Sequence, residues 1–408
     1  MSEGSPERIE GAVRIVSARL PERTGLAGPT TSASLWSRAG GLAGIALAVC
    51  IAATLRVVQL LFIYWLSPDD RSVDERLLIW DGGWFINVAE EGYPDGYTYN
   101  GQGIRVGNGF AFFPLFPFLI RTVALITGDF RAASLIVAGA CGMAAAVLIY
   151  LLGVTLWSRF SGYALMVLVC AQPMAVVLIM GYTEPLFLAL VAATLLAAHQ
   201  RVWWLAGLVG LGAALTRPTG MAVGLALAVS VLLKWRDMAV RERVWASSAA
   251  AITLLAGPLY LAWVGWQVGE WDAWFKVQTA GWGSTFDFGD SVVTFLSNTL
   301  SGEAGLIDSV TTWLIIGTVV LCLVAVFDRI WGALLAFGLL ALVLVIGQAG
   351  YWHSKPRLLV PVLLLAAAPV ARALAEVPKR VSVALLGLWA AFGLWFGAHM
   401  ITIWPFTI

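Results

Sequence analysis

Long apolar runs recur along almost the whole chain after residue 38, and they constrain the fold more than any other feature. The first run covers residues 39–66, which is longer than the roughly 20 residues that cross a bilayer as a helix. Of the 408 residues, 60% are hydrophobic and 12% are charged, and the mean hydropathy is +0.85. Since a soluble domain carries about 25% charged residues, we predict an all-α polytopic membrane protein.

The same composition limits the number of spans and excludes several classes of protein. At roughly 20 residues per span, roughly 245 apolar residues allow about eleven or twelve spans. A soluble enzyme, a disordered chain and a secreted disulfide scaffold are excluded, and a net charge of +1 gives no basic field for nucleic acid. The four cysteines lie in apolar runs and are predicted to be core thiols: Cys50, Cys141, Cys170 and Cys322.

The charges between the runs predict the topology. Residues 1–37 are polar and are predicted to form a disordered cytoplasmic tail, because five arginines precede the first span and the positive-inside rule keeps such segments in the cytoplasm. Residues 38–408 are predicted to form a single multispan domain. Its two long acidic loops, 67–130 and 270–305, then face outside.

Segment 110–128 decides which side every later connector faces. Its Pro114, Pro117 and Arg121 favour an interfacial helix over a span. With that choice the later basic connectors face the cytoplasm, as the positive-inside rule requires, and the chain has about eleven spans. The ten spans after 39–66 are predicted near residues 131–157, 162–182, 183–200, 203–216, 219–235, 246–269, 306–327, 331–350, 357–375 and 381–405.

This topology brings four polar clusters to the outer face: residues 80–84 (WDGGW), 181–185 (GYTEP), 216–220 (TRPTG) and 353–357 (HSKPR). In the first cluster, Asp81 lies between Trp80 and Trp84 at the start of a predicted interfacial helix. The tryptophans suit the membrane interface, and a half-desolvated Asp81 could act as a base toward a hydroxyl. The alternative is that Asp81 is an ordinary loop aspartate or the N-cap of this helix.

The other three clusters supply charges. Arg217 interrupts an apolar stretch, where it could bind a lipid phosphate or extend to ordinary headgroups. His353, Lys355 and Arg357 form a basic group on a loop predicted to be outside, which favours a phosphate or diphosphate site over a solvated loop or an anchor at the start of a helix. Glu184 could orient a substrate or begin a helix that has proline in its first turn.

The ordered set WDGGWF, FFPLFP, YTEPLF, TRPTG and KPRLLVP, from about residue 75 to about residue 365, resembles the mannosyltransferases related to the GPI mannosyltransferase 2 (class V phosphatidylinositol-glycan) family, including its bacterial members. This family belongs to the GT-C superfamily, whose multispan enzymes take a sugar from a polyprenyl phosphate. The resemblance implies interfacial helices in the first outer loop and Asp81 as general base. Many relatives have a second acidic residue beside this position, whereas Gly82 follows Asp81 here, so a divalent metal stays an open question.

The sequence therefore predicts an inverting glycosyltransferase that moves a sugar from a polyprenyl-phosphate donor to a hydroxyl of a glycolipid, cell-envelope glycan or protein. The resemblance alone implies mannose. In this interpretation Asp81 is catalytic, and the substrate contacts come from Trp80, Trp84, Glu184, Arg217, His353, Lys355 and Arg357. The predicted location is the plasma membrane of a bacterium, with the active site outside. A glycan or lipid transporter and a non-catalytic scaffold subunit are the alternatives.

Overall fold

The structure is a computed structural model that describes residues 34–68 and 71–408. Leu35–Ile408 form one compact unit. The predicted cytoplasmic tail, residues 1–37, falls almost entirely outside the described residues. Helices dominate the described part, and they confirm the predicted all-α polytopic class.

Eighteen α-helices follow one another in the described residues. The first nine are α1 (Leu35–Arg38), α2 (Gly41–Leu66), α3 (Val73–Leu77), α4 (Asp81–Glu91), α5 (Leu115–Thr127), α6 (Phe130–Leu156), α7 (Arg159–Cys170), α8 (Glu184–His199) and α9 (Trp203–Ala214). The other nine are α10 (Met221–Lys234), α11 (Val240–Val268), α12 (Ala273–Trp282), α13 (Asp290–Ser301), α14 (Leu306–Phe327), α15 (Gly332–Ile346), α16 (Lys355–Leu358), α17 (Leu363–Glu376) and α18 (Lys379–Thr402). A small antiparallel hairpin, β1 (Thr98–Tyr99) and β2 (Arg105–Val106), lies between α4 and α5.

Seven helical segments of the described chain are long and apolar enough to cross a membrane. They are Gly41–Leu66, Phe130–Leu156, Pro218–Asp237, Val240–Val268, Leu306–Phe327, Trp352–Glu376 and Lys379–Thr402. Four predicted spans correspond instead to the shorter helices α7, α8, α9 and α15, so the count of eleven spans is not confirmed. Proline explains one of the short helices: α7 ends before Pro173, and a 3-10 turn at Ala175–Leu178 carries the chain on to α8.

Segment 110–128 contains the 13-residue helix α5, which packs against α4 and α6. At about 1.5 Å per residue it is about 20 Å long, less than the roughly 30 Å hydrocarbon core. Arg121 extends from it to donate hydrogen bonds to the carbonyl oxygens of Ala89 and Glu90. This arrangement suits an interfacial helix, and the non-crossing assignment stays a prediction.

Two apolar cores position the functional residues. The larger is built from both long and shorter helices, including α6, α7, α8, α15, α17 and α18. The smaller is aromatic and joins the loop after α4 to α11 and α12, through Phe110, Phe113, Tyr260 and Trp274. We call residues 67–130 the first loop below, and the part of it that carries Phe110 and Phe113 therefore packs against the bundle.

Candidate active site

Asp81 is the first residue of α4, and the strained backbone before it directs the chain there. Trp80 has φ 55° and ψ −113°, a conformation that costs a non-glycine residue free energy and is common at functional sites. Two hydrogen bonds hold the turn: Gly181 N donates to Leu77 O at 2.9 Å, and Tyr182 Oη donates to Ile79 O at 3.1 Å. The polar cluster at residues 181–185 thus holds in place the backbone that leads into the cluster at residues 80–84.

Glu184 is the first residue of α8, with Pro185 behind it. Its side chain is only 2% exposed. The positive end of the helix dipole favours a carboxylate at this position, and Pro185 costs no hydrogen bond in the first turn. Glu184 can therefore both begin the helix, as predicted, and take part in the site.

Arg217 follows α9 and precedes a 3-10 turn at Pro218–Gly220. Its Nη1 lies 2.6 Å from Glu184 Oε1. The neighbouring Leu215 O accepts a hydrogen bond from Leu115 N at 3.0 Å, which ties this break in the bundle to the first loop. Arg217 thus pairs with a buried carboxylate instead of extending to lipid headgroups.

Arg357, in α16, joins the two carboxylates. Its Nη1 donates to Asp81 Oδ2 at 2.7 Å, and its Nε lies 3.5 Å from Glu184 Oε1. The guanidinium carbon lies 5.0 Å from the centre of the Tyr182 ring, within the range of a cation–π interaction.

The four charged residues, which we call the charge quartet (Asp81, Glu184, Arg217 and Arg357), line a cavity of about 110 Å³. The cavity wall is completed by Phe85, Ala111, Phe112, Phe113, Tyr182, Thr183, Thr216 and Pro218. Aromatic side chains in this wall face a charge-balanced set of two carboxylates and two guanidinium groups. Such a cavity can bind a group with apolar faces and an anionic end.

The remaining predicted substrate residues lie outside the cavity wall. Trp84 stacks on Phe112, a wall residue, with ring centres 5.9 Å apart, whereas the Trp80 side chain packs against the larger core. Lys355 Nζ donates to Val345 O at 2.8 Å and also to Gln348 O. His353 Nε2 lies 3.3 Å from Thr407 Oγ1 and its ring contacts Trp352.

Tyr182 and Phe112 are part of the wall but were not among the predicted site residues. Both lie at the start of motifs given above: Tyr182 begins YTEPLF, and Phe112 begins FFPLFP. Residue type alone did not separate either aromatic side chain from the rest of an apolar chain.

The side chains of the cavity do not form a metal site. In the described part of the chain, no three His, Cys, Asp or Glu side chains are close enough to hold an ion. Asp81 and Glu184 each contact an arginine, and a guanidinium at that distance repels a cation. The donor set therefore does not fit a divalent metal held by protein side chains.

Comparison with known proteins gives a likeness of fold. No protein-family model matches the chain, and no curated protein matches it. The apo crystal structure of ArnT from Cupriavidus metallidurans, a GT-C superfamily glycosyltransferase, superposes with TM-score 0.54 at 14% identity and covers 88% of this chain and 78% of ArnT. The structure of the same protein bound to undecaprenyl phosphate gives TM-score 0.51 at 15% identity and covers 84% of this chain and 62% of that one. The described helices therefore have the GT-C fold.

Proposed function

We propose that the protein is an inverting glycosyltransferase that moves a sugar from a polyprenyl phosphate to an acceptor hydroxyl. The charge quartet around the cavity carries this proposal. It offers a carboxylate for the acceptor proton and two guanidinium groups for a phosphate, on the fold of a protein whose structure contains undecaprenyl phosphate.

An apolar groove supports a lipid carrier for the sugar. The groove has a volume of about 270 Å³ and lies between α7, α14, α17 and α18, with Trp313, Leu321 and Leu363 among its lining residues. Pro356 is one of the residues that line the groove, and the next residue is Arg357 of the charge quartet. A prenyl chain in the groove could therefore leave its phosphate at the arginines.

The reaction can be assigned to these groups. Asp81 accepts the proton as the acceptor oxygen attacks the anomeric carbon, and Arg217 and Arg357 stabilise the negative charge on the departing phosphate. A phosphate is a good leaving group, so no general acid is needed. A single displacement inverts the anomeric centre. Mannose as the sugar, a bacterial plasma membrane and an outward-facing site follow from the sequence resemblance and from the charges of the connectors.

The test is transfer of radiolabelled mannose from undecaprenyl-phosphate-mannose into lipid and polymer fractions of membranes. Membranes with wild-type protein are compared, at matched expression, with membranes carrying Asp81→Asn. The matched control is Asp95→Asn, which removes an exposed carboxylate of the same loop outside the cavity wall. We expect Asp81→Asn to lose about 100-fold or more of the transfer rate, the usual contribution of a general base.

Full activity of Asp81→Asn would contradict the assigned base. If mannose is not transferred, donors with glucose, galactose and arabinose test the sugar. Absence of Asp81-dependent transfer from every donor would contradict glycosyl transfer altogether and favour a transporter. The stereochemistry of the product, read by NMR, tests inversion separately.

A further inference from the structure

Asp81 is not free in the cavity. Arg357 Nη1 donates to Asp81 Oδ2 at 2.7 Å, so one oxygen of the carboxylate already has a charged partner. Under the proposed function, an acceptor hydroxyl and the donor phosphate both have to enter the cavity that this ion pair lines. A phosphate that attracts Arg357 would leave both oxygens of Asp81 open to the acceptor.

Glu184 is placed to keep the arginines in position when Asp81 loses its contact with Arg357. Its Oε1 lies 2.6 Å from Arg217 Nη1 and 3.5 Å from Arg357 Nε. Glu184 is 2% exposed, whereas Asp81 is 20% exposed. Asp81 is therefore the carboxylate that can be solvated or meet a substrate after losing its arginine, and Glu184 is the one that stays.

The contacts of the arginines with Glu184 do not satisfy every nitrogen. Arg217 Nη1 and Arg357 Nε are buried and lie near Glu184 Oε1, but neither contact has the geometry of a hydrogen bond. Both belong to side chains that line the cavity. Phosphate oxygens are suitable acceptors for such nitrogens, because guanidinium binds phosphate with two parallel hydrogen bonds.

We propose that Arg357 is shared between Asp81 and the phosphate of the donor, so that donor binding releases Asp81 as a base while Glu184 positions both arginines. This inference rests on the proposed function. The charge quartet has no net charge, because its two carboxylates balance its two guanidinium groups. A donor phosphodiester adds one negative charge that competes with Asp81 for Arg357.

The sharing of Arg357 also keeps the charges in the cavity balanced during the sugar transfer. The acceptor oxygen forms a bond to the anomeric carbon, its proton moves to Asp81, and the bond from the anomeric carbon to phosphate oxygen breaks with its electron pair on the phosphate. Asp81 is then neutral, and the phosphate has become a monoester with one more negative charge. Arg357 loses its attraction to Asp81 at the step in which the phosphate gains charge.

The sharing of Arg357 predicts that loss of the Asp81 carboxylate strengthens phosphate binding, although it abolishes transfer. The probe is undecaprenyl phosphate, titrated against purified protein in nanodiscs, with undecaprenol as the probe that lacks phosphate. We expect Asp81→Asn to lower the Kd for undecaprenyl phosphate about tenfold, since hydrogen bonds to charged groups are worth at least that factor. Asp95→Asn should leave both affinities unchanged.

Two further variants make the test independent of the single substitution Asp81→Asn. Asp81→Ser removes the carboxylate with a smaller side chain and should show the same gain. In an Arg357→Gln background, Asp81→Asn should no longer improve binding. An unchanged or weaker affinity of folded Asp81→Asn, beside a wild type that binds undecaprenyl phosphate and transfers sugar, overturns the sharing and leaves the proposed function intact. A wild type that binds undecaprenyl phosphate no better than undecaprenol overturns both.

Discussion

Glu184 should contribute to stability as well as to substrate binding, because a buried carboxylate there faces two guanidinium groups. Removal of one partner of a buried pair leaves the other uncompensated and costs about 3–5 kcal/mol. We expect Glu184→Gln and Arg217→Gln each to destabilise the protein by about 3 kcal/mol. The double variant should lose less free energy of unfolding than the two single variants together, because neither charge is then left without its partner. Denaturant-induced unfolding in mixed micelles measures this free energy for all three variants.

A surface ion pair of the same chain is the matched control. Arg372 Nη1 lies 3.1 Å from Asp328 Oδ2, and both side chains are 41% exposed. Exposed pairs contribute about 0–1 kcal/mol, so Asp328→Asn should change the free energy of unfolding by no more than that. Additive losses in the Glu184–Arg217 double variant would contradict the coupling.

At the scale of single residues, the sequence located the charges of the site but not the direction in which each side chain points. His353, Lys355 and Arg357 formed one basic group in the sequence. The chain there turns tightly through a 3-10 segment into α16, so side chains two positions apart leave in different directions. Only Arg357 reaches the cavity, whereas Lys355 donates to the carbonyl oxygens of Val345, in the last turn of α15, and of Gln348, just after it. Such turns depend on packing against other helices, which no local pattern encodes.

At the scale of elements, α6 and α7 depend on a contact between glycines. A Cβ atom on Gly153 would lie 2.6 Å from Gly162 Cα, and one on Gly162 would lie 2.6 Å from Tyr150 O. Close backbone approach at small residues is a common way for membrane helices to pack. We therefore expect Gly153→Ala to force the helices apart and to cost about 1–3 kcal/mol, measured by unfolding in mixed micelles.

Gly139 of the same helix is the control, because a Cβ atom there meets nothing within 4 Å. Alanine is a better helix former than glycine by about 0.5–1 kcal/mol. Gly139→Ala should therefore be neutral or slightly stabilising. Equal losses at Gly139 and Gly153 would show that the close approach of α6 and α7 is not what Gly153 provides.

The hydropathy of the sequence was sufficient to place each predicted span on a helix, but not to give the helix lengths. The predicted span 162–182 contains α7, which ends at Cys170, and then a 3-10 turn. Residues 171–183 are almost all buried, so the non-helical segment lies inside protein, where irregular backbone at membrane depth is tolerated. A window of apolar residues has the same mean hydropathy whether it is one helix or a broken one.

At the scale of the whole molecule, the cavity and the basic connectors lie at opposite ends of α9. At its start, Trp203 Nε1 donates to Glu242 Oε1, which also pairs with Arg201. At its end, Leu215 O accepts from Leu115 N beside Arg217. Positive connectors are kept in the cytoplasm, so this arrangement favours a site on the opposite, outer side.

Cysteine labelling tests this orientation. In a background in which the four native cysteines are replaced, Gln102→Cys places one thiol in the exposed turn of the first loop, and Arg236→Cys places one at an exposed basic connector. A membrane-impermeant maleimide should label Gln102→Cys in intact cells and Arg236→Cys only after the cells are permeabilised. The reverse pattern would place the charge quartet in the cytoplasm. The donor sugar would then have to be supplied on the cytoplasmic side. Labelling of both thiols in intact cells would contradict the interfacial assignment of α5, because a crossing at α5 reverses the side of every later connector and leaves the first loop where it is.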